Sequence, residues 1–399
     1  MFSRPISFSR RMPFDNPRRC PLKTTEETFR PSTCAISALL CVRYSRLRME
    51  ISSFVQRGRT LDRFEGFLLF RREEWLDFRI STSSIGTCSQ PNADCAAGML
   101  QFRRRCLPEG NQPMIDVRFP PNLLVGTSSW STRDWCGSFY PESIEPGDMI
   151  RSYARQLRTV EIDATWHHMP SRNMVEAWKS RTPTGFVFSA KVPKIISHEK
   201  YLEDCEAELT EFLTIMSPLE EKLGPLVLQF PYVAKGKDPG EYETGDEFIA
   251  RLRKFVGLLP AEFKWGVEIR NTRWLGPALL DILRARGISL VFIDYYTMDP
   301  LPKLARHPEV FTAPFVYIRF LGNHKEMDAA VREARDKGTR RSDWESLLQD
   351  RTAEMKQWIP PIKALVAKDI PTYVYFNNHY AGYAPGSVEL FSRLYETEG

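Results

Sequence analysis

The sequence predicts an α/β protein, a (β/α)8 TIM-type barrel of parallel strands preceded by an Arg-rich N-terminal extension. Three observations carry this. Eight short runs rich in β-branched and aromatic residues recur between Leu123 and Phe376. They are apolar on both faces, as strands covered on both sides of a parallel sheet must be. Longer amphipathic stretches separate most of them, and about 275 residues is the usual length of eight such units.

The strands are expected at Leu123–Gly126, Thr159–Asp163, Gly185–Ala190 and Pro225–Gln229, then Lys264–Ile269, Ser289–Asp294, Phe315–Arg319 and Thr372–Phe376. Helical patterns run over Asp148–Leu157, Asn173–Lys179, Leu202–Leu223, Glu247–Val256, Pro277–Arg286, Trp344–Ala367 and Ser387–Tyr395. Ser171 suits an N-cap, and Gly224-Pro225 and Gly287 suit the positions just past helix ends. Pro360 and Pro361 are expected to break the segment that starts at Trp344. The connection Tyr295–Ala313, with three prolines, reads as a loop holding a short helical turn. A doubly wound open sheet is the competing architecture. It often carries a Gly-rich phosphate loop after its first strand, whereas GTSSWS follows here, with no GxGxxG. The sequence names no cofactor.

Charge divides the chain. Residues 1–118 carry 19 Arg and 1 Lys against 12 acids, and the remainder carries 35 basic and 38 acidic residues. The net +5 therefore belongs to the extension and gives the main domain no nucleic-acid footprint. Six of the eight cysteines also lie in the extension, with no CxxC pair, so a reducing, cytoplasmic setting is the simplest reading. The first residues, rich in Arg and Ser, resemble an organelle transit peptide, which would direct the protein to a mitochondrion or plastid. A poorly structured leader or a mis-assigned start accounts for residues 1–120 as well. The segment from Thr60 to Ile80 fits a local helix or a hairpin. The longest apolar candidate, Ala35–Val42, is too short to span a bilayer. The domain boundary is expected near residue 120, with the barrel over 121–399.

Function in this architecture collects at the C-terminal strand ends. Glu161/Asp163/Thr165, Ser189/Lys191, Glu268/Arg270, Tyr317/Arg319 and Tyr375/Asn377 recur there at a spacing of two, which puts each set on one face of its strand. With Asp294, four acids and three bases are expected to converge. Such charges must be paired or hydrogen-bonded. An ion-pair network that merely closes the core explains any one residue as well as function does, but recurrence at nearly every strand end favours a site. Glu161, Lys191, Glu268 and Asp294 are the candidate catalytic residues. Trp130, Asp163, Thr165, Gln229, Arg270, Arg319, Asn377 and Asn378 are the candidate substrate-binding residues. No metal-ligand set is assigned.

The segments GTSSW, TVEIDATWHHMPS, FSAKVPKIISH, KLGPLVLQFP, VEIRNTRW, YIRFLGN and VYFNNHYAGYAP, in this order and spacing, resemble the YecE-like family, domain of unknown function 72. The resemblance implies a barrel of this kind and a site at its mouth, and no particular reaction. The chain departs from the family pattern at Ser129, where GTSGW is usual, at Asp163, where EINxTFY-like segments carry an amide, and at Leu321, where a His is common.

Three activities are compatible with the pattern. One is an enzyme acting on a small polar or anionic substrate, with Lys191, Arg270 and Arg319 holding a phosphate or carboxylate, Glu161 or Glu268 as base, Asp294 orienting a cation, and Trp130 or Trp166 stacking on a ring. Lys191 equally suits a structural ion pair with Glu161. The second is a metal-dependent phosphodiesterase on nucleic acid, an analogy of fold alone. The third is a non-catalytic ligand-binding protein. A small-molecule ligand is the expected partner, nucleic acid the weaker alternative, and no membrane; the oligomeric state is not legible.

Overall fold

The computed structural model describes residues 114–233 and 244–398 together with two further strands, Phe64–Phe70 (β1) and Glu74–Ile80 (β2). The chain divides into two compact units, Met1–Pro108 and Glu109–Gly399. In the first, β1 and β2 form an antiparallel hairpin, with Phe64 opposite Ile80 and Phe70 opposite Glu74. The transit-peptide reading falls on residues outside those described.

The second unit holds eight parallel strands: β3 Leu123–Thr127, β4 Thr159–Ile162, β5 Val187–Lys191, β6 Leu223–Gln229, β7 Trp265–Glu268, β8 Ser289–Asp294, β9 Val316–Phe320 and β10 Thr372–Phe376. They are ordered β3-β10-β9-β8-β7-β6-β5-β4. Each strand sits beside the next in sequence, and the first and last also pair, which is the topology of the closed barrel. Closure between β3 and β4 is made by one bridge, Ser128 to Glu161, and by the Ser129 N–H donating to the Glu161 carbonyl at 2.8 Å. Two devices compensate for this thin seam. The Tyr153 hydroxyl accepts from the Thr127 N–H at 3.0 Å and donates to the Thr159 carbonyl at 3.0 Å, stitching the strands from behind. Gly126 permits the approach, since a Cβ there would lie 2.1 Å from the Thr159 carbonyl oxygen.

Helices α1 Met149–Tyr153, α2 Arg172–Ser180, α3 Glu206–Met216, α4 Gly245–Phe255, α5 Pro277–Ala285, α6 Leu301–Leu304, α7 His324–Asp336, α8 Thr352–Val366, α9 Asn378–Ala381 and α10 Ala384–Thr397 connect the strands. Ser171 caps α2 as expected, its hydroxyl accepting from the Met174 N–H. Two expectations fail. The prolines do not break α8, which runs through Pro360 and Pro361 because its buried face, Met355, Trp358, Ile359, Ile362 and Leu365, keeps the helical period while Pro360 sits on the exposed side. Helix α7 has no counterpart in the sequence reading. Only Met327, Val331 and Ala334 of its 13 residues are buried, too sparse an apolar stripe to stand out.

The apolar core has two parts, separated by the barrel wall. Outward strand residues such as Ile162, Phe188, Leu228, Phe292, Phe320 and Phe376 pack on the helices. Val227, Val291, Ile293, Phe315, Tyr317, Leu321, Tyr373 and Tyr375 fill the lumen. Among the described residues, no helix is long and apolar enough to cross a membrane, and Cys136 and Cys205 are free thiols.

Candidate functional site at the barrel mouth

The lumen turns polar from its middle upward. The buried Tyr375 hydroxyl lies 2.7 Å from Thr159 Oγ1 and 2.8 Å from Ser189 Oγ. One layer higher, the Tyr317 hydroxyl donates to Glu161 Oε2 at 2.7 Å. Arg319, 1% exposed, is the hub. Its Nη2 lies 2.7 Å from Glu161 Oε1, its Nη1 2.5 Å from Glu268 Oε2, and Nη1 also reaches Gln229 Oε1 at 3.4 Å. Glu268 Oε1 accepts from Arg270 Nε at 2.9 Å. Lys191 pairs with Asp163 at 2.5 Å, so its partner is not Glu161. Alternation along neighbouring strands brings these groups to one level, and the closed wall removes them from water. Isolated burial of any one would be prohibitive; pairing makes it tolerable.

The pKa shifts follow from this arrangement. Burial alone would raise Glu268, but Arg319, Arg270 and Lys191 outweigh it and hold the carboxyl at about 2. Asp163 is likewise held at about 2: burial raises it, and Lys191 and Arg319 lower it further. Burial would lower Arg319, yet Glu161, Glu268 and Asp163 raise it well above its ordinary value. Desolvation, with the positive field of Arg270 and Lys191, lowers His198 to about 4, so its imidazole is neutral at pH 7.

The structure brings Glu161, Asp163, Lys191, Gln229, Glu268, Arg270 and Arg319 together. It does not bring in four other expected members. Asp294 has the outward parity of Phe292, and its neighbours are Arg351 and Glu354 of α8 and the Tyr380 hydroxyl. The converging set is therefore three acids and three bases, not four and three. Thr165 lies in a 3-10 turn past the end of β4, where alternation stops. Its hydroxyl donates to the Ile162 and Lys191 carbonyls at 3.0 and 2.7 Å, stapling two strand ends. Asn378 Oδ1 accepts from Trp135 Nε1 and the Ala384 N–H, holding the start of α10. Trp130 packs edge-on against Trp178 and Phe188 behind the wall. Asn377 is at the rim, where its Oδ1 accepts from the His379 N–H and faces His379 Nδ1 at 2.9 Å.

The rim holds groups that the strand pattern does not reach because they lie in the turns and helix starts that follow the strands. Trp166 lies beneath Lys191 and is flanked edge-on by His198, with ring centroids 5.1 Å apart. His324 stacks on His379 at 4.1 Å, and His379 Nε2 lies 3.2 Å from Asp328 Oδ1. Gly322 permits this, since a Cβ there would lie 2.4 Å from the His379 carbonyl oxygen. The Arg270 guanidinium lies over the Tyr295 ring at 4.9 Å. Several polar atoms have no partner among the described residues: Ser128 Oγ, Trp166 Nε1, His324 Nε2 and the two terminal nitrogens of Arg270. Ser128 shares its strand face with Leu124, which packs in the lumen. The sequence signal that could have found the loop groups is the local density of His and Trp just after strand ends, as in TWHH and NNHY.

Among the described residues, no three His, Cys, Asp or Glu side chains converge to hold a metal ion. The carboxylates that a metal would need are already engaged by Arg319, Arg270 and Lys191.

Comparison with known proteins agrees with this fold. The UPF0759 protein YecE of Escherichia coli (strain K12) is 28% identical over 220 residues, spanning 50% of this chain and 74% of that protein. The UPF0759 protein YunF of Bacillus subtilis (strain 168) is 23% identical over 293 residues, spanning 69% of this chain and 95% of YunF. Among solved structures, a DUF72 family protein of Thermotoga maritima is 26% identical, superposes with a TM-score of 0.54, and covers 69% of this chain and 99% of its own. The sequence model described as protein of unknown function DUF72 matches residues 124–399, the whole barrel, and the chain belongs to that family.

Proposed function

We propose that the barrel mouth binds a small polar or anionic substrate and carries out acid/base chemistry on it. The observation that carries this reading is the set of donors without partners among the described residues around a fixed charge network: the terminal nitrogens of Arg270, the Trp166 indole N–H and the Ser128 hydroxyl. Buried donors are almost always satisfied, and donors left open at the functional end of a barrel call for an acceptor-rich ligand. Arg270 is held for such a role, clamped by Glu268 and laid on Tyr295, with a fork that suits a carboxylate or phosphate.

The same geometry favours a proton-transfer group other than the glutamates. Glu161 accepts from Tyr317 and Arg319 with both oxygens, and Glu268 accepts from Arg319 and Arg270 and stays ionised. They position the cations. His198, neutral, edge-on to Trp166 and in the field of Arg270 and Lys191, is a group able to accept a proton, and neutralisation of those cations by a bound anion would raise its basicity.

The test is thermal unfolding with a panel of carboxylates, sugar phosphates, nucleotides and polyols, run on the natural protein and on Arg270→Ala. At least one acceptor-rich compound is expected to raise the midpoint of the natural protein and to lose that effect in the variant. A panel that stabilises neither protein, or both equally, would overturn the reading. With a stabilising compound found, His198→Gln is expected to keep binding and lose turnover; binding without turnover by the natural protein would mark a ligand-binding protein instead.

A further inference from the structure

We propose that Asp163 sets the charge of the ligand, so that the mouth selects a carboxylate monoanion over a phosphate dianion. The proposal rests on the anion-binding reading above and names its chemical class. Three acids (Glu161, Asp163, Glu268) face three bases (Lys191, Arg270, Arg319), so the network sums to zero. Asp328, bonded to His379 at the rim, adds a negative charge. Arg319 is closed on all sides by Glu161, Glu268 and Gln229. Lys191 has its charge met by Asp163 at 2.5 Å. Arg270, partly exposed, is the one of these three cations whose terminal guanidinium nitrogens have no partner among the described residues.

One forked cation in a mouth whose other two cations are already paired matches one carboxylate. A dianion brings a second negative charge into a site whose remaining cations are already neutralised, and it faces Glu268, Asp163 and Asp328. At the separations within such a mouth, one uncompensated unit charge weakens binding by about tenfold or more. Asp163 is the member of the network that controls this balance. It is one-third exposed and touches the ligand side, whereas Glu161 and Glu268 are sealed beneath it. Without its charge, Lys191 becomes a second open cation.

The experiment titrates acetate and methyl phosphate at constant ionic strength and pH 8, where methyl phosphate is a dianion, following the unfolding midpoint of the natural protein, Asp163→Asn, Lys191→Met and Arg270→Ala. Acetate is expected to stabilise the natural protein at lower concentration than methyl phosphate, and Arg270→Ala to abolish both effects. Asp163→Asn is expected to tighten methyl phosphate by about tenfold and reverse the order. Lys191→Met, which leaves Asp163 only its longer contact to Arg319 at 3.9 Å, is expected to weaken both anions. If the natural protein prefers methyl phosphate in an Arg270-dependent way, or if Asp163→Asn leaves the order unchanged or fails to fold while Lys191→Met binds both anions normally, charge selection by Asp163 is wrong and the anion site stands. If neither anion binds the natural protein through Arg270, both readings fall.

Discussion

Replacing Glu268 with Gln isolates what the lumen network contributes to stability. Glu268 is fully buried and accepts from Arg319 through one oxygen and from Arg270 through the other. Glutamine keeps the shape but offers one acceptor, so its amide nitrogen must face a guanidinium that is itself only a donor. The folded-state pKa of about 2, against an ordinary 4.5, gives the electrostatic scale. At about 1.4 kcal/mol per pH unit, ionised Glu268 contributes about 3 kcal/mol at pH 7. The sign follows from the lowered pKa: the contribution is complete above 4.5 and is lost as pH falls toward 2, leaving about 1 kcal/mol at pH 3. Urea unfolding of Glu268→Gln and the natural protein at pH 7 and pH 3 should therefore show a loss of about 3 kcal/mol that shrinks to about 1. A difference independent of pH, or a variant as stable as the natural protein at pH 7, would refute the view that the Arg319 network stabilises the fold.

Four further outcomes are expected. Asp294, on the other side of the wall, has the opposite sign: burial raises its pKa from 3.8 to about 6, so its ionisation costs about 3 kcal/mol above pH 6 and nothing below pH 3. Asp294→Asn should stabilise at pH 7 and not at pH 3, measured by the same unfolding experiment; destabilisation at pH 7 would contradict the assignment. Ser129 is held at φ 89°, a conformation that favours glycine, and Ser129→Gly should raise stability by about 1 kcal/mol in chemical denaturation. Tyr153→Phe deprives the Thr127 N–H and the Thr159 carbonyl of their shared hydroxyl at the barrel seam and should cost about 2 kcal/mol, with faster amide exchange at Thr127. Gly126→Ala should be worse, since the added methyl meets a backbone carbonyl that cannot move without opening the seam; a soluble, equally stable variant would show the closure to be looser than described.

The mouth was legible where the chain is regular. The spacing of two in Glu161/Asp163, Glu268/Arg270 and Tyr317/Arg319 marks a lumen-facing set, because strand geometry fixes which residues share a face. The same rule, applied strictly, also places Asp294 outside, since it is the neighbour of lumen-facing Ile293. The rule ends where the strand ends. Thr165 lies three residues beyond β4 and Asn378 two beyond β10, in short helical turns that point their side chains at backbone and at Trp135. Strand spacing does not place His198, His324 or Trp166 for the same reason: their positions are set by the segments that follow the strands, and no strand period describes those.

The sequence by itself determined the eight-strand barrel, the charged residues that share its lumen face, and the family, because these depend on periodicity and order along the chain. It marked Ser129 as a departure from the family pattern; that the backbone there has a positive φ is a finding of the structure. Only the tertiary structure decided the pairing within the mouth. Lys191 meets Asp163 and not Glu161, Glu268 is shared between Arg319 and Arg270, and three acids balance three bases. Such pairings depend on the stagger between strands far apart in sequence and on loop geometry above them. Charge compensation in a closed lumen is a property of the assembled ring, and no single strand carries it.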